Sequence, residues 1–318
     1  MNGTKIGLGL AALGRPEYIN IRENHHIDKS KEAFKENAFK VLDFAYHQGV
    51  RYFDTAPSYG KGEQYLIEWN EKNLYHDVQL GTKWGYTYVA NWELGFKGAH
   101  EIKEHTLKKL LEQWQTSKIL LPSLEIYQIH SATLESGVLK NDTVLHQLYQ
   151  IKRKTGIKIG ITTSGINQAE IIEAALNIKI KNEDLFDAFQ VTYNILEQST
   201  LTILNQAKQK NKTIIIKEAL ANGRVMANEK FAHDQEYYDT IERISKKYKV
   251  GIDAIALRFV IDSLQPDYVL SGASNQQQLK QNLKALKFKL NKQEIQKLHA
   301  YLIPSDQYWS ERKTLKWN

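Results

Sequence analysis

The amino-acid sequence predicts an α/β protein built as a closed (β/α)8 barrel, the TIM-barrel architecture, with an appended C-terminal helix and tail. Helical and strand-like segments alternate along the chain, which is typical of parallel sheets built from strand–helix–strand units. The length of 318 residues suits one barrel of roughly 250 residues with additions. We therefore expect residues 1–318 to form a single domain.

Eight short apolar runs are expected to form the strands of this barrel. They fall at residues 7–10, 51–54, 78–83, 124–130, 158–161, 188–191, 213–216 and 268–270. Functional groups of a (β/α)8 barrel gather where the strands end and the following loops begin. Polar residues at those points are therefore the first candidates for a site.

Helices are predicted where apolar residues recur at helical spacing. One such stripe consists of Phe34, Ala38, Val41, Leu42 and Ala45. A second consists of Ile102, Leu107, Leu110, Leu111 and Trp114. Near the end of the chain, Asn291 and Glu294 have the spacing of a capping box, which predicts an appended helix that stops around Pro304.

An open, doubly wound sheet is the alternative architecture. It would require a G-x-G-x-x-G turn between an early strand and the helix that follows. Gly7, Gly9 and Gly14 do not have that spacing, and we interpret them as turn residues. The closed barrel is therefore preferred.

Composition predicts a soluble, cytoplasmic protein. Apolar residues make up 42% and charged residues 25% of the chain, cysteine is absent, and the first residues lack the pattern of a secretory signal. No apolar stretch approaches the roughly 20 residues of a membrane span. The net charge of +7 comes from lysines scattered over predicted helices, such as Lys103 and Lys152, so we expect no nucleic-acid partner.

Three strand ends carry polar residues that could converge. Asp54 ends the second predicted strand and Tyr59 follows it, Lys83 ends the third, and His130 ends the fourth. Reduction of a carbonyl group needs this kind of set, because a hydride arriving at carbon must be matched by a proton for the developing alkoxide. Each residue also has a structural interpretation: a turn aspartate, a wall tyrosine, a core histidine, and a lysine paired with Asp54.

In this order and with these flanking residues, the four resemble the catalytic tetrad of the aldo-keto reductases. The resemblance runs from about Ile6 to about Leu302 and includes the segments 49–56, 160–164, 189–194 and 278–282. It implies an NAD(P)(H)-dependent oxidoreductase that acts on an aldehyde, ketone or sugar, with Tyr59 as general acid and base and His130 hydrogen-bonded to the carbonyl. Oligomeric state and reaction direction are left open.

The expected tuning of Tyr59 can be stated in energies. A free tyrosine has a pKa of about 10, so a value near 7 requires roughly 4 kcal/mol of preference for the phenolate. An ammonium about 4 Å away supplies on the order of 4 kcal/mol at an effective dielectric constant near 20. We expect Lys83 to lower the pKa of Tyr59, and Asp54 to keep Lys83 protonated.

The resemblance also assigns cofactor contacts. It implies that Thr162, Thr163 and Gln190 hold the nicotinamide amide, although the family more often has Ser–Asn at the first pair. Lys217 stands where the family commonly has a stacking aromatic residue, so an ion pair, a phosphate contact and a substrate contact are all open for it. The loop with Leu220, Asn222, Gly223 and Arg224 resembles the family's pyrophosphate-covering loop.

The adenosine end is expected at Gly272, Gln278, Gln281 and Asn282. The family's NADPH users often have Lys or Arg near the 2′-phosphate, and this chain offers no guanidinium after residue 272 in that stretch. The cofactor is therefore NADP(H) or NAD(H), with the preference open.

Substrate contacts are expected from an aromatic-rich stretch that follows Lys83, in particular Trp84 and Trp92. His100 and His105 are five residues apart rather than the four of a helical metal site, so we predict no metal. Two other functions stay open: a cofactor-binding regulatory subunit with little turnover, and a metal-dependent sugar isomerase or lyase.

Overall fold

The computed structural model describes residues 3–19, 28–228 and 230–317. The strands in this part of the chain are β1 (Lys5–Gly9), β2 (Tyr52–Asp54), β3 (Gln79–Trp84), β4 (Tyr86–Tyr88), β5 (Glu101–Lys103), β6 (Leu124–Ala132), β7 (Lys158–Thr163), β8 (Lys179–Ile180), β9 (Glu183–Asp184), β10 (Ala188–Thr192), β11 (Thr213–Lys217) and β12 (Tyr268–Ser271).

Eight of these strands close a parallel barrel in the order β1-β12-β11-β10-β7-β6-β3-β2. They coincide, within two residues at each end, with the eight predicted runs, so the predicted (β/α)8 barrel is confirmed. The other strands form two small antiparallel pairs, β4 with β5 and β8 with β9, which the sequence did not predict.

Helices surround the barrel. They are α1 (Lys31–His47), α2 (Gly62–Asn73), α3 (Leu107–Ser117), α4 (Asp142–Thr155), α5 (Gln168–Leu176), α6 (Leu201–Gln209), α7 (Gln235–Tyr248), α8 (Ile252–Leu264), α9 (Gln276–Asn282), α10 (Lys292–His299) and α11 (Ser305–Lys313). None of them, within the described residues, is long and apolar enough to cross a membrane.

The helix predictions are right for α1 and for the start of α10, which ends at His299 rather than around Pro304, and partly wrong for α3. The buried face of α1 consists of the predicted stripe, and Asn291 and Glu294 form the capping box of α10. Ile102, in contrast, lies in β5 and is half exposed, because the chain forms a hairpin with β4 before α3 begins at Leu107. Lys103 lies in the same strand rather than on a helix.

Large side chains fill the lower part of the barrel. Tyr52 and Tyr268 stack inside it with ring centroids 4.3 Å apart, in a cluster with Ile126 and Ile215. Glycine makes room for them, since a Cβ at Gly81 would lie 2.2 Å from the Tyr52 hydroxyl. The interior is thus a packed core, and among the described residues the space for a ligand lies toward the carboxyl ends of the strands.

Contrary to the prediction from the sequence, the glycines near the start of the chain are not all turn residues. Gly7 and Gly9 lie in β1, and a Cβ at Gly7 would lie 2.9 Å from the Tyr52 ring. Gly14 alone is in a loop, where a Cβ would meet the Tyr59 carbonyl oxygen at 2.2 Å. The expectation that all three are turn residues is therefore wrong for the first two.

The C-terminal segment returns to the barrel mouth. After α10, Pro304 precedes α11, and the tail beyond it brings Trp317 into a bridge with Ile19. Arg224 holds α11 through hydrogen bonds from its Nη1 to the Tyr308 carbonyl oxygen (2.9 Å) and to Glu311 (3.2 Å). The appended helix is confirmed, and a second helix follows it.

Candidate active site

A buried ion pair between Asp54 and Lys83 lies at the base of the candidate site. Asp54 ends β2, and Lys83 lies near the end of the neighbouring strand β3. Lys83 is fully buried; its Nζ donates to Asp54 Oδ2 and, over 2.9 Å, to the Thr55 carbonyl oxygen. A buried ammonium group needs such partners, so the pairing predicted from the sequence is present.

The other carboxylate oxygen of Asp54 collects neutral donors. Asp54 Oδ1 accepts from Gln190 Nε2 at 2.8 Å, from Gln128 Nε2 at 3.3 Å and from the Tyr52 hydroxyl at 3.4 Å. The side-chain nitrogen of Gln190 is therefore committed to Asp54. Asp54 connects four strands through hydrogen bonds, which fixes the position of Lys83.

Tyr59 lies in the loop between β2 and α2, directly over this pair. Lys83 Nζ lies 4.9 Å from the centroid of its ring, and the Arg15 guanidinium carbon lies 5.3 Å from it. The loop is held by backbone hydrogen bonds from Tyr59 to Ala56 (3.0 Å) and from Gly62 to Tyr59 (2.9 Å). Tyr59 is partly buried and lines the main cavity.

The ionisation of Tyr59 differs from the expectation. Burial raises the pKa of Tyr59 well above its usual value near 10, and the Asp54 carboxylate raises it further, whereas Arg15 lowers it. Lys83 is not among the main causes of the Tyr59 shift, and its ammonium group is bound to Asp54. In the cofactor-free protein Tyr59 is therefore a neutral phenol at pH 7, which is the form that can donate a proton.

His130 reaches the same cavity from the end of β6. The register of β6 against β7 shifts between Ile129 and Ala132, and Ser131 adopts a left-handed φ of 47°, so a bulge turns the strand at this point. His130 Nδ1 lies 3.3 Å from Ser58 Oγ. The His130 ring meets the Tyr59 ring edge-on, with the two ring centroids 5.5 Å apart. Burial, then Lys83 and Arg15, lower the pKa of His130 well below 6.5, so the imidazole is neutral.

One cavity of about 530 Å³ joins these groups to most of the predicted cofactor residues. Asp54, Tyr59 and His130 line it, together with Thr162, Gln190, Lys217, Leu220, Asn222, Gly223, Gly272, Gln278 and Asn282. Lys83 lies beneath its floor. The strand ends and the loops after β11 and β12 thus converge as the sequence predicts.

Two predicted cofactor residues point elsewhere. Thr163 is fully buried and lies 3.3 Å from Gln168 Oε1 on α5, because neighbouring strand residues face opposite sides and Thr162 takes the interior side. Arg224 is also fully buried; its Nη1 donates to the Tyr308 carbonyl oxygen and to Glu311, and its Nε donates to the Ala221 carbonyl oxygen. Neither side chain lines the cavity, so the expected amide and pyrophosphate contacts of these two residues stay predictions that this geometry does not support.

Three further predicted residues also lie outside the cavity. Gln281 is on α9 but does not line it. Trp84 follows the inward-facing Lys83, so it faces outward, is fully buried and packs against His105. Trp92 lines a separate pocket of about 410 Å³ and donates from Nε1 to the Lys29 carbonyl oxygen at 2.8 Å. The structure gives no support to the predicted substrate contacts of Trp84 and Trp92.

Lys217 lies between the two ends of the cavity. Its Nζ donates to Thr192 Oγ1 at 2.8 Å and to Ser164 Oγ at 3.1 Å, and Glu218 lies 3.6 Å away. Burial lowers the pKa of Lys217 to about 8, against the opposing effect of Glu218. Glu218 itself is paired with Arg312 on α11, and Arg312 and then Lys217 hold its pKa at about 2.

Several residues of the site were not predicted from the sequence. Gln128 has a recognisable signal, since it lies two residues before His130 and so faces the same side of β6. Arg15, Glu101 and Asp253 have no such signal, because each enters the site from a loop, a hairpin or a distant helix. No group of three His, Cys, Asp or Glu side chains that could hold a metal ion occurs within the ranges described above.

Comparisons with known proteins agree with the barrel fold. The family model described as Aldo/keto reductase family matches residues 5–303. A D-threo-aldose 1-dehydrogenase of a Pseudomonas species is 24% identical over 278 residues, covering 78% of this chain and 82% of the relative.

Two solved structures have a similar fold. The holo form of the aldo-keto reductase AKR11C1 of Bacillus halodurans has a TM-score of 0.68 at 19% identity, covering 97% of this chain and 96% of that one. The glycerol dehydrogenase AKR11B4 of Gluconobacter oxydans has a TM-score of 0.67 at 18% identity, covering 93% and 90%.

Proposed function

This chain belongs to the aldo-keto reductase family and is an NAD(P)H-dependent oxidoreductase that acts on carbonyl groups; we propose that Tyr59 is its general acid and base. The observation that carries the proposal is the cluster at the cavity floor, where Tyr59 and His130 face the same space above the Asp54–Lys83 pair. A carbonyl oxygen in that space would have both side chains within reach.

The cavity suits a nicotinamide cofactor, which when bound would supply the hydride that reduces the carbonyl carbon. The loops after β11 and β12 present backbone to it, and a Cβ at Gly272 would have no atom within 4 Å. Asn222 Oδ1 is buried and has no hydrogen-bond partner within the described chain. Gln190 and Thr162 would hold the end of the cofactor nearest Tyr59.

The chain's own residues then handle the proton. The Tyr59 hydroxyl donates its proton to the carbonyl oxygen as negative charge develops there, and the phenolate that results is stabilised by Lys83 and later reprotonated from solvent. Ser58 Oγ lies 3.3 Å from Nδ1 of the neutral His130, and we propose the tautomer in which the hydroxyl donates to Nδ1 and the ring proton is on Nε2. That N–H is the donor that would orient the carbonyl oxygen.

The raised pKa of Tyr59 favours the reductive direction. At pH 7 the phenol is protonated and ready to donate, whereas alcohol oxidation would require the scarce phenolate. We therefore propose carbonyl reduction as the direction that this site catalyses more readily near neutral pH.

For the cofactor we propose NAD(H) rather than NADP(H). The lysines and arginines among the described lining residues are Arg15, Lys217 and Arg312, and the last two lie on or contact the loop after β11, away from the adenosine end. That end offers a carboxylate, Asp253, whose pKa is raised by burial. A 2′-phosphate there would meet an acid and no guanidinium partner.

The experiment is a pair of titrations followed by a turnover assay. NADH and NADPH are each titrated against the protein by fluorescence quenching, and NADH should bind at least about tenfold more tightly, a difference of roughly 1.4 kcal/mol. The substitution Asp253→Asn should narrow that ratio. Tighter binding of NADPH would contradict the proposed preference.

Turnover is then measured as loss of NADH absorbance with glyceraldehyde, 4-nitrobenzaldehyde and a D-threo-aldose, chosen because related proteins are named for an aldose and for glycerol. Reduction of any of them supports the reductase. Tight NADH binding without turnover on a broad panel would instead favour the cofactor-binding regulatory subunit, which the comparisons do not support. A metal-dependent isomerase would be indicated by activity that needs no cofactor.

Four broader expectations stay predictions. They are a single domain over residues 1–318, a cytoplasmic location, and the absence of a nucleic-acid partner and of a metal. Limited proteolysis, cell fractionation, nucleic-acid binding and metal analysis, respectively, would test them.

A further inference from the structure

Arg15 is held directly against the loop that carries Tyr59. It lies in the loop after β1, where Lys61 donates its backbone N–H to the Gly14 carbonyl oxygen at 2.6 Å. The two loops touch so closely that a Cβ at Gly14 would meet the Tyr59 carbonyl oxygen, and a Cβ at Gly60 would lie 2.9 Å from Arg15 Cβ. The backbone therefore fixes Arg15 relative to Tyr59.

The Arg15 side chain continues this contact inside the cavity. It is 2% exposed, and its Nη1 donates to the Ser58 carbonyl oxygen (3.2 Å) and to Glu101 Oε1 (2.7 Å). Its guanidinium carbon lies 5.3 Å from the centroid of the Tyr59 ring and 4.7 Å from that of Trp317. Arg15 is thus a buried cation that touches both the ring of Tyr59 and the residue before it.

The charges around Tyr59 come from several elements. They are Asp54 on β2, Lys83 on β3, Glu101 on β5, Glu218 after β11 and Arg15 itself, with the neutral His130, the buried Tyr18, Lys217 and Arg312 completing the surroundings. Asp54 binds Lys83, and Arg312 binds Glu218. The Arg15 charge lowers the pKa of Tyr59, whereas Glu101 and Glu218 raise it.

We propose that Arg15 is a positioning residue for Tyr59, which orients the phenol ring and favours its phenolate form, with Glu101 as the counter-ion that limits this effect. The inference rests on the proposed function, because it assigns to Arg15 a part in the proton transfer of Tyr59. Lys83, the cation expected to do this, is bound to Asp54. Two ion pairs therefore place positive charge near the phenolate: Lys83 with Asp54, and Arg15 with Glu101.

The test is the pH dependence of kcat/KM for reduction of the panel aldehyde that the wild-type protein reduces fastest. The rate is constant while Tyr59 is protonated and falls above the pKa of Tyr59. Glu101→Gln keeps the Arg15 charge and removes its counter-ion, so the fall should begin about one pH unit lower, equivalent to a tenfold change in ionisation. Arg15→Met should raise the pH of this break in the profile, where kcat/KM begins to fall, above the wild-type value.

Arg15→Lys provides the rescue, because it keeps the charge without the planar guanidinium. It should return the break to within about half a pH unit of the wild-type position, a shift of less than 0.7 kcal/mol. A purely structural role predicts something different: Arg15→Met and Glu101→Gln would both lower kcat/KM and leave the break where it was.

Opposite shifts in the two variants support the inference. Unchanged breaks or shifts of the same sign would overturn it while leaving the reductase assignment intact. Absence of turnover in the wild-type protein on the whole panel, with no NADH binding, would overturn the proposed function and this inference together.

Discussion

Replacing Lys83 with Met removes one partner of the fully buried ion pair and leaves the Asp54 charge inside the barrel. Breaking a buried pair in this way costs about 3–5 kcal/mol of unfolding free energy. Three neutral donors, from Gln190, Gln128 and Tyr52, stay on the other oxygen at 2.8–3.4 Å. Because they keep part of the charge satisfied, we expect the lower end of the range, about 3 kcal/mol.

The assay is urea unfolding at pH 7, followed by tryptophan fluorescence, in a double-mutant cycle with Asp54→Asn. The double variant carries no buried charge at this place and should lose at least about 1.5 kcal/mol less than the sum of the single variants. Lys246→Met is the matched control: that lysine pairs with Glu242 at 3.2 Å but is 79% exposed, so its loss should cost under about 0.5 kcal/mol. A cost below about 1 kcal/mol for Lys83→Met, or additive single effects, would refute the reasoning.

Three further predictions concern residues around the cavity. The pKa of Glu218 is about 2 rather than 4.5, so its stabilising effect is present above pH 4.5 and lost as the pH falls toward 2. Between these two pH values the wild-type protein should lose about 3 kcal/mol more unfolding free energy than Glu218→Gln, measured by urea unfolding at each pH. Gly81→Ala should destabilise the barrel by a few kcal/mol, because the new Cβ meets the Tyr52 hydroxyl. Adding Tyr52→Phe to Gly81→Ala should recover part of the lost stability in thermal melts. Equal melting temperatures for Gly81→Ala and wild type would contradict this. Arg224→Met should lower stability by about 2–4 kcal/mol through the loss of its bonds to α11, while NADH affinity stays within twofold; a large loss of affinity would restore the predicted pyrophosphate contact.

The fold was predictable because its signals are local. Each barrel strand is a short apolar run between two helical stripes, and the Asp54, Lys83 and His130 side chains follow from the positions where those runs end. Ile102 shows the limit of such signals. Its apolar side chain fits the helical stripe of α3 by spacing alone, and only the pairing of β4 with β5 places it in a strand.

Some of the site could have been predicted more sharply from strand alternation. Thr162 and Thr163 are neighbours in β7, so only one of them can face the cavity, and the same holds for Lys83 and Trp84 in β3. The inward positions of Thr162 and Lys83 follow once Tyr52 and Asp54 are taken as the interior side of β2. Alternation assigns the other two to the outer layer.

The rest of the site depends on contacts between distant parts of the chain. Arg224 bonds to α11 more than 80 residues away, and Arg15 pairs with Glu101 across 86 positions. Neither pairing leaves a trace in local spacing. The charge balance at Tyr59 is a product of these pairs, which is why its pKa could not be predicted from Lys83 alone.

The central claim is that Tyr59 delivers the proton in carbonyl reduction. It is tested most directly by comparing Tyr59→Phe with wild type in NADH-dependent reduction of the best panel aldehyde, with the NADH dissociation constant measured for both. Tyr88→Phe is the matched control, since Tyr88 lines the separate pocket. We expect Tyr59→Phe to lower kcat at least about a hundredfold with NADH affinity within twofold of wild type, and Tyr88→Phe to keep its turnover. Turnover of Tyr59→Phe near the wild-type rate would contradict the account.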